Sequence, residues 1–220
     1  MEKQSIQLKN EAVLGGVASV QTDAQTKITR AKAKEITRER ILNAAVVLFS
    51  RNGFSATSVQ DIARGAGISV GLMYNHYKTK EDVFLELVKQ ALLEIRELKH
   101  MLEANECPLV VYTTLCDEII LAFKTSEELS MWFSLLSRPL ALGNEEDLTK
   151  DFINYHKSFV DVLSAFIKKG QGAGKFKAGC PKKMAQFFKA TLQGLCALQL
   201  SLKQDFEVPS QEMLMSILVN

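Results

Sequence analysis

A short run of hydrogen-bonding and small side chains stands out in the sequence. Ser69, Val70, Gly71, Asn75 and His76 make poor core material, so we expect them on a surface. An asparagine amide can form two hydrogen bonds with N6 and N7 of adenine, and a valine can contact the thymine methyl group. These side chains therefore suit the edges of base pairs, provided that a rigid element carries them into a DNA groove.

Two short helices joined by a tight turn are predicted between Thr57 and Lys78. We expect Thr57 to cap the first helix, with Gln60 completing a capping box. Gly67 stands at the end of the first helix, where the backbone commonly adopts the positive φ that glycine permits. Ser69 is the expected N-terminal cap of the second helix. The pattern is typical of a helix-turn-helix, whose second helix lies in the major groove. A plain corner between two helices is the alternative from this pattern alone.

The charge of the chain is distributed unevenly, although the net charge is only +2. Residues 27–80 carry ten lysines and arginines against three acidic residues, a net charge of +7. From residue 81 onward, nineteen acidic residues outnumber fifteen basic ones. A basic segment around a predicted helix-turn-helix favours a nucleic-acid partner over an ordinary solvated face.

The whole sequence predicts an all-α protein of about nine helices, without a convincing strand pattern. The first firm helix is expected over residues 37–52, and a long helix capped by Thr79 is expected over residues 80–102. Residues 1–30 are expected to form a flexible arm. The basic residues at the end of this arm, through Lys34, are either a solubilising tail or a contact to phosphate or the minor groove.

Several other classes of protein find no support in the sequence. The apolar runs are too short to cross a membrane and the first residues lack a secretion signal, so we expect a cytoplasmic, nucleoid-associated protein. The four cysteines form no metal-binding or CxxC spacing, which favours free thiols, no metal and no cofactor. GQGAGK at residues 170–175 is one residue short of a phosphate-binding loop. No carboxylate pair or nucleophile–base pair indicates an enzyme.

The segment from Ile36 to Val88 resembles the DNA-binding domain of the TetR family of bacterial transcriptional regulators. The matching positions continue without a gap and comprise Ile41, Ala44, Ala45, Leu48, Phe49, Gly53, Phe54, Thr57, Ile62, Ala63, Ala66, Gly67, Ile68, Ser69, Gly71, Met73, Tyr74, His76, Tyr77 and residues 78–82. The rest of the chain matches that family only in the number and length of its helices.

The resemblance implies a homodimeric regulator, usually a repressor, that binds a palindromic operator and is released by a small effector. It implies a DNA-binding domain over residues 35–95, with the helix-turn-helix at 58–77, and an effector-binding and dimerisation domain over residues 96–220. The implied phosphate or backbone contacts are Thr57, Ser58, Tyr74, His76 and Lys78, and the implied base contacts are Val70, Gly71 and Asn75, with Ser69 beside them.

Two further surfaces are predicted in the C-terminal part. Small and apolar residues at helical spacing indicate a subunit interface that contains Phe187, Ala190, Gly194, Ala197, Ser201, Leu214 and Ile217. Aromatic and polar-tipped side chains indicate a cavity for a small hydrophobic or aromatic effector, although an ordinary core would also explain each of them. These residues are Met101, Tyr112, Cys116, Phe123, Trp132, Phe133, Tyr155, His156 and Phe159.

Two alternative functions stay open at this point. One is a ligand-independent DNA-organising protein of the same family, and the other is an all-α enzyme or carrier with a vestigial helix-turn-helix. Protection of a discrete palindrome that a small molecule releases would distinguish the predicted regulator from both alternatives.

Overall fold

The chain folds into nine α-helices over the residues that a computed structural model describes, namely 30–103, 107–137 and 146–219. These ranges contain no strand, which confirms the predicted all-α class. Helix α1 covers residues 30–52. The others are α2 (Val59–Gly65), α3 (Val70–His76), α4 (Lys80–Glu103), α5 (Pro108–Thr125), α6 (Glu128–Ser137), α7 (Glu146–Gly172), α8 (Pro181–Leu202) and α9 (Gln211–Met215), with a short 3₁₀ helix at Lys203–Asp205.

Helix α1 begins earlier than predicted. Arg30, the first described residue and the last of the predicted arm over residues 1–30, is already helical, and the rest of that arm lies outside the described residues. The Thr37 hydroxyl donates a 2.8 Å hydrogen bond to the Ala33 carbonyl one turn earlier, so Thr37 lies inside α1 rather than at its start. The basic side chains of Arg30, Lys32 and Lys34 are therefore exposed on a helix.

An N-terminal unit forms where α1, α2 and α3 pack against the first turns of α4. Ile62 and Met73 of the two short helices are fully buried in its core. The rings of Phe49, Phe54 and Phe84 form a cluster with centroids 5.2 to 6.1 Å apart, which joins the end of α1 to α4. Aromatic pairs at these separations add to the stabilisation that burial provides.

Helix α4 connects the N-terminal unit to the rest of the molecule. Thr79 caps it as predicted, because its hydroxyl accepts a 3.0 Å bond from the Asp82 N–H while the Asp82 carboxylate accepts one of 2.9 Å from the Thr79 N–H. The 24 residues of α4 span ~36 Å at the usual rise per residue. Its later turns pack against α7, which also packs against α8, while α6 lies on α8 and α9 on α5.

The last helix packs its apolar face into the core of its own subunit. Leu214 is only 1% exposed, and its carbonyl accepts a 2.6 Å hydrogen bond from the Tyr112 hydroxyl. The predicted interface role of Leu214 is therefore wrong, because its side chain is already covered by α5. Ile217 is half-buried against the same core.

Candidate nucleic-acid interface and cavity

The turn between α2 and α3 has the predicted glycine geometry. Gly67 adopts φ of +63°, and the N–H groups of Gly67 and Ile68 donate 3.0 Å bonds to the carbonyls of Arg64 and Ala63. This pairing is the Schellman pattern, which ends a helix and turns the chain sharply. The Ser69 side chain caps α3, as predicted. A helix-turn-helix therefore exists at this position.

The cap of α2 is Ser58, one residue later than predicted. The Ser58 hydroxyl accepts a 3.1 Å bond from the Asp61 N–H, and the Asp61 carboxylate accepts one of 3.1 Å from the Ser58 N–H. Asp61 thus takes the capping-box position predicted for Gln60. Thr57 is instead 2% exposed, because its hydroxyl turns toward α1 and donates a 2.8 Å bond to the Gly53 carbonyl.

Helix α3 presents a continuous exposed face. Met73 is fully buried and anchors the helix. The opposite side of the helix exposes both apolar and polar side chains to solvent. The exposed residues are Ser69, Val70, Gly71, Leu72, Tyr74 and Asn75. Leu72 was missed by the sequence analysis, since an apolar residue beside Met73 at helical spacing is normally expected in the core.

His76 and Lys78 lie at the end of α3. The Lys78 ammonium is exposed and donates a 2.9 Å bond to the Tyr74 carbonyl. Burial, together with the charge of Lys34, lowers the pKa of His76 below its ordinary value. The His76 ring is therefore neutral near pH 7 and can donate one hydrogen bond to an anionic oxygen. The effect of Lys34 also indicates that the basic start of α1 lies close to this end of α3.

Lys80 has a structural role that the sequence analysis missed. Its ammonium donates to the carbonyls of Phe54, Ser55 and Thr57 over 2.9, 3.2 and 3.1 Å, and lies 4.6 Å from the centroid of the Phe54 ring. Charge-assisted bonds of this kind are stronger than neutral ones. Lys80 thereby fixes the segment that precedes α2 to the first turn of α4.

A cavity of about 1030 Å³ lies between α4, α5, α6 and α7. Four of the predicted effector residues line it, namely Trp132, Phe133, Tyr155 and Phe159. Asn43 of α1 also contributes to the lining, so the cavity reaches the N-terminal unit. The remaining lining residues are Gln90, Ala91, Leu93, Glu94, Ile95, Leu98, Glu118, Ala122, Thr125, Ser126, Glu128, Leu129 and Leu136.

The other predicted effector residues do not line this cavity, which corrects those predictions. Tyr112, Cys116 and Phe123 are buried in the core, and Met101 packs against that core. Burial raises the pKa of the Cys116 thiol to about 11, so this thiol stays protonated at neutral pH. Helical periodicity places all of these residues on inward faces, but it does not distinguish a filled core from an open cavity.

His156 lies behind the cavity wall rather than in it. Its Nδ1 is hydrogen-bonded to the Lys189 ammonium, which lies 5.2 Å from the ring centroids of both Tyr155 and Phe159. Lys189 is 6% exposed, and burial lowers its pKa to about 8. Burial and the charge of Lys189 lower the pKa of His156 to about 4. Near pH 7 a charged lysine therefore donates to a neutral histidine.

The described ranges contain neither a metal-binding cluster nor a membrane-spanning helix. No three His, Cys, Asp or Glu side chains in those ranges are grouped in a way that could hold a metal ion. None of the described helices combines the length and apolarity that crossing a bilayer requires. The four cysteines are free thiols, as predicted, with Cys107 and Cys180 exposed and Cys116 and Cys196 buried.

The N-terminal unit matches the family model of bacterial regulatory proteins of the tetR family over residues 41–87. The transcriptional regulator AcrR of Shigella flexneri is 42% identical over 71 residues, which are 32% of this chain and 33% of AcrR. The N-terminal unit therefore belongs to the TetR family of DNA-binding domains. Its alignment with AcrR spans only about a third of that regulator.

Longer matches extend the TetR likeness into the C-terminal helices. The fatty acid metabolism regulator protein of Bacillus subtilis strain 168 is 24% identical over 156 residues, 67% of this chain and 74% of that protein. The crystal structure of NalD, the secondary repressor of the MexAB-OprM multidrug efflux pump in Pseudomonas aeruginosa, superposes with a TM-score of 0.65 at 26% identity. That superposition covers 85% of this chain and 98% of NalD. The C-terminal helices therefore follow a TetR-family arrangement.

Proposed function

We propose that this TetR-family protein is a transcriptional repressor that binds a palindromic operator as a homodimer and leaves it when a small hydrophobic or aromatic effector binds. The exposed face of α3 carries the proposal, since a rigid turn and the buried Met73 present that face to solvent. It lies within the segment of residues 27–80 that carries a net charge of +7. The regulators AcrR and NalD support the same function by similarity.

The proposed contacts divide between bases and phosphates. Val70, Gly71 and Asn75 lie on the exposed side of α3 and meet base edges, with Ser69 beside them at the start of the helix. The contacts to phosphate oxygens are proposed for Ser58, Tyr74, His76 and Lys78. Such contacts hold the protein in register but carry no sequence information. Thr57 is left out because its buried hydroxyl already donates to a backbone carbonyl.

The homodimer is proposed to form through the exposed face of α8. Phe187, which is 64% exposed, begins a stripe that continues through small residues to the end of the helix. The stripe comprises Phe187, Ala190, Gly194, Ala197, Leu198, Ser201 and Leu202, all exposed in the isolated subunit. An exposed apolar stripe of this length is typical of a protein–protein interface. Ile217 remains a proposed member, at the half-buried edge of α9.

Effector release is proposed to act through α4. The first turn of α4 holds the N-terminal unit through Lys80, while Glu94 and Leu98 farther along the same helix line the cavity. Asn43 of α1 lines the cavity as well, so a bound molecule would touch both units. An effector that fits one relative position of α1 and α4 better than another shifts the equilibrium toward that position. The domains proposed from the sequence, 35–95 and 96–220, divide within α4.

The two alternative functions differ in how they use the cavity. A ligand-independent DNA-organising protein has no use for a large cavity that reaches the DNA-binding unit, so the cavity favours an effector-responsive regulator. An enzyme or carrier would need reacting or transporting groups in the cavity, and the matched relatives are regulators.

Selection from a random pool of duplex DNA with the purified full-length protein tests the proposal. We expect enrichment of an inverted repeat whose half-sites lie about one helical turn, or a multiple of it, apart. Repeating the selection with Asn75→Ala is expected to relax the preference at one position in each half-site. Uniform binding to all sequences would support the DNA-organising alternative, and an absence of DNA binding would exclude both DNA-binding functions.

A further inference from the structure

The charge and the chemistry of the cavity lining indicate a class of effector. We propose that the cavity binds an amphipathic organic cation, with its apolar or aromatic body against the inner rings and its cationic nitrogen at the outer rim. The inference deepens the proposed function and rests on it for its regulatory meaning. The binding event itself can be tested without DNA.

The rim of the cavity is negatively charged. Glu94, Glu118 and Glu128 line the cavity and are exposed, whereas no lysine, arginine or histidine is among the lining residues. None of the three carboxylates forms an ion pair with a basic side chain in the described ranges. Three uncompensated negative charges around one opening attract a cationic group and repel an anionic one.

The inner part of the cavity is aromatic. Trp132 and Phe133 are half-buried there, and Tyr155 and Phe159 are buried. Aromatic faces carry partial negative charge, so they accept both apolar groups and the methyl groups around a quaternary nitrogen. The lining therefore combines an apolar floor with a charged rim, which matches the two ends of an amphipathic cation.

The Tyr155 hydroxyl is a second observation that points to a ligand. Tyr155 is 6% exposed and lines the cavity, but its hydroxyl forms no hydrogen bond with any described residue. The buried Tyr112 hydroxyl, in contrast, donates to the Leu214 carbonyl. Because the Tyr155 hydroxyl is not among the fully enclosed unpartnered side-chain atoms, it keeps contact with the open space of the cavity. The Tyr155 hydroxyl is thus available to a polar atom of a bound molecule.

Lys189 sets the orientation of the ligand. Its ammonium lies behind the rings of Tyr155 and Phe159, 5.2 Å from each centroid, and His156 is its hydrogen-bonding partner. The wall formed by Tyr155 and Phe159 therefore has a positive charge behind it, while the exposed rim carries the carboxylates. A cationic group is repelled from that wall and attracted to the rim, so the apolar end of the ligand lies against the buried rings.

Trp132 provides a direct measurement of binding. It lines the cavity and is the single tryptophan of the chain, so a change in intrinsic fluorescence reports occupancy. The probes are three phenylalkyl compounds of equal chain length that end in a trimethylammonium, a hydroxyl or a carboxylate group. With the full-length protein and no DNA, we expect the ammonium compound to bind most tightly and the carboxylate most weakly.

Substitutions at the rim separate charge from hydrophobicity. We expect each rim substitution to lower the affinity for the ammonium compound by roughly two- to fivefold, the range for exposed charge pairs. The rim substitutions are Glu94→Gln, Glu118→Gln and Glu128→Gln. Binding of the hydroxyl compound should not change. Glu97→Gln is the matched control, because Glu97 is exposed on α4 but does not line the cavity. Lys189→Met should leave the ammonium compound bound at least as tightly.

Two results would overturn the inference. Equal affinity for the ammonium and hydroxyl compounds would show that the cavity selects only for hydrophobicity. Tightest binding of the carboxylate, lost in Lys189→Met, would assign an anionic effector instead.

Operator binding is measured separately, with the palindrome obtained by selection. Failure of the cation preference with intact operator binding contradicts this inference alone, and failure of operator binding with intact cation preference contradicts the proposed repressor.

Discussion

The Lys80 ammonium lies 4.6 Å from the centroid of the Phe54 ring and donates a 2.9 Å hydrogen bond to the Phe54 carbonyl. Replacing Lys80 by methionine keeps much of the packing but leaves the carbonyls of Phe54, Ser55 and Thr57 without their donor. We expect Lys80→Met to reduce the free energy of unfolding by ~1–3 kcal/mol, measured by urea denaturation. An unchanged unfolding free energy would show that the ammonium is not a structural link.

Lys78→Ala is expected to weaken operator binding and to leave stability almost unchanged. Its ammonium is exposed and, among the described residues, donates only to the Tyr74 carbonyl, so stability should change little. Operator binding should weaken for every sequence, and the slope of log affinity against log salt concentration should fall by ~1 for each lost phosphate contact. Binding titrations at several salt concentrations measure that slope. If the slope stays the same, Lys78 does not contact phosphate.

Gly71→Ala separates folding from DNA contact. An added Cβ at Gly71 would meet no atom closer than the Ser69 hydroxyl oxygen at 4.0 Å, so the subunit itself tolerates alanine. Helix propensity then favours the variant by up to ~1 kcal/mol, whereas the methyl group would hinder a close approach to a base. We expect equal or higher thermal stability and roughly tenfold weaker operator binding.

Gly172→Ala is the control for that comparison, because a Cβ at Gly172 also meets no atom within 4 Å and the residue lies at the end of α7. The control should bind the operator as the wild type does. Unchanged operator binding by Gly71→Ala would remove Gly71 from the proposed base contacts.

Gly194→Trp tests the proposed dimer. A Cβ at Gly194 meets no atom within 4 Å of the same subunit, so a larger side chain there points into solvent unless a second subunit covers it. We expect sedimentation velocity to show a dimer for the wild type and a shift toward monomer for the variant, with unchanged helical content. Gly172→Trp should remain dimeric. A wild type that sediments as a monomer at micromolar concentrations would contradict the proposed interface.

Lys189→Met tests the buried charge behind the cavity. Below about pH 8, both the folded and the unfolded protein carry the Lys189 proton, so the full desolvation penalty is present. Between pH 8 and the ordinary lysine value of 10.5, the folded protein loses this proton first, and wild-type stability therefore rises relative to the variant. We expect Lys189→Met to be more stable by ~1–3 kcal/mol at pH 7, with the difference shrinking by pH 10.

Guanidinium unfolding at both pH values, at one protein concentration, measures this difference. Lys182→Met is the control, since Lys182 is exposed at the start of α8 and is not desolvated by burial. A variant that is less stable than the wild type at pH 7 would show that the hydrogen bond to His156 and the contacts with the Tyr155 and Phe159 rings outweigh the desolvation penalty of Lys189.

Local patterns in the sequence predicted the helix-turn-helix well, because its signals act within a few residues. The positive φ of Gly67 and the caps at Ser69 and Thr79 depend on backbone geometry that a residue type determines. The prediction of the α2 cap was wrong for a related reason. Thr57 and Ser58 are adjacent hydroxyl residues, and only the packing of the preceding turn on α1 decides which of them faces the helix.

The cavity was predicted only in part, because its lining depends on how distant helices pack. Aromatic residues such as Trp132 and Tyr155 could be proposed from their type. The glutamates at the rim could not, since periodicity places charged residues on solvated faces. Asn43 shows the same limit, because nothing local indicates that a residue of α1 lies beside α4 and α6 at the edge of a cavity.

Phe84 also determines how much of the chain can function alone. Its ring completes the cluster with Phe49 and Phe54 although it belongs to α4, and Arg38 of α1 forms an ion pair with Glu86, two residues after Phe84. A fragment that stops at the end of α3 would leave one wall of its core open to water. The smallest autonomous fragment with the helix-turn-helix must therefore retain the first turns of α4, through Val88, and it ends just before Gln90, the first α4 residue that lines the cavity.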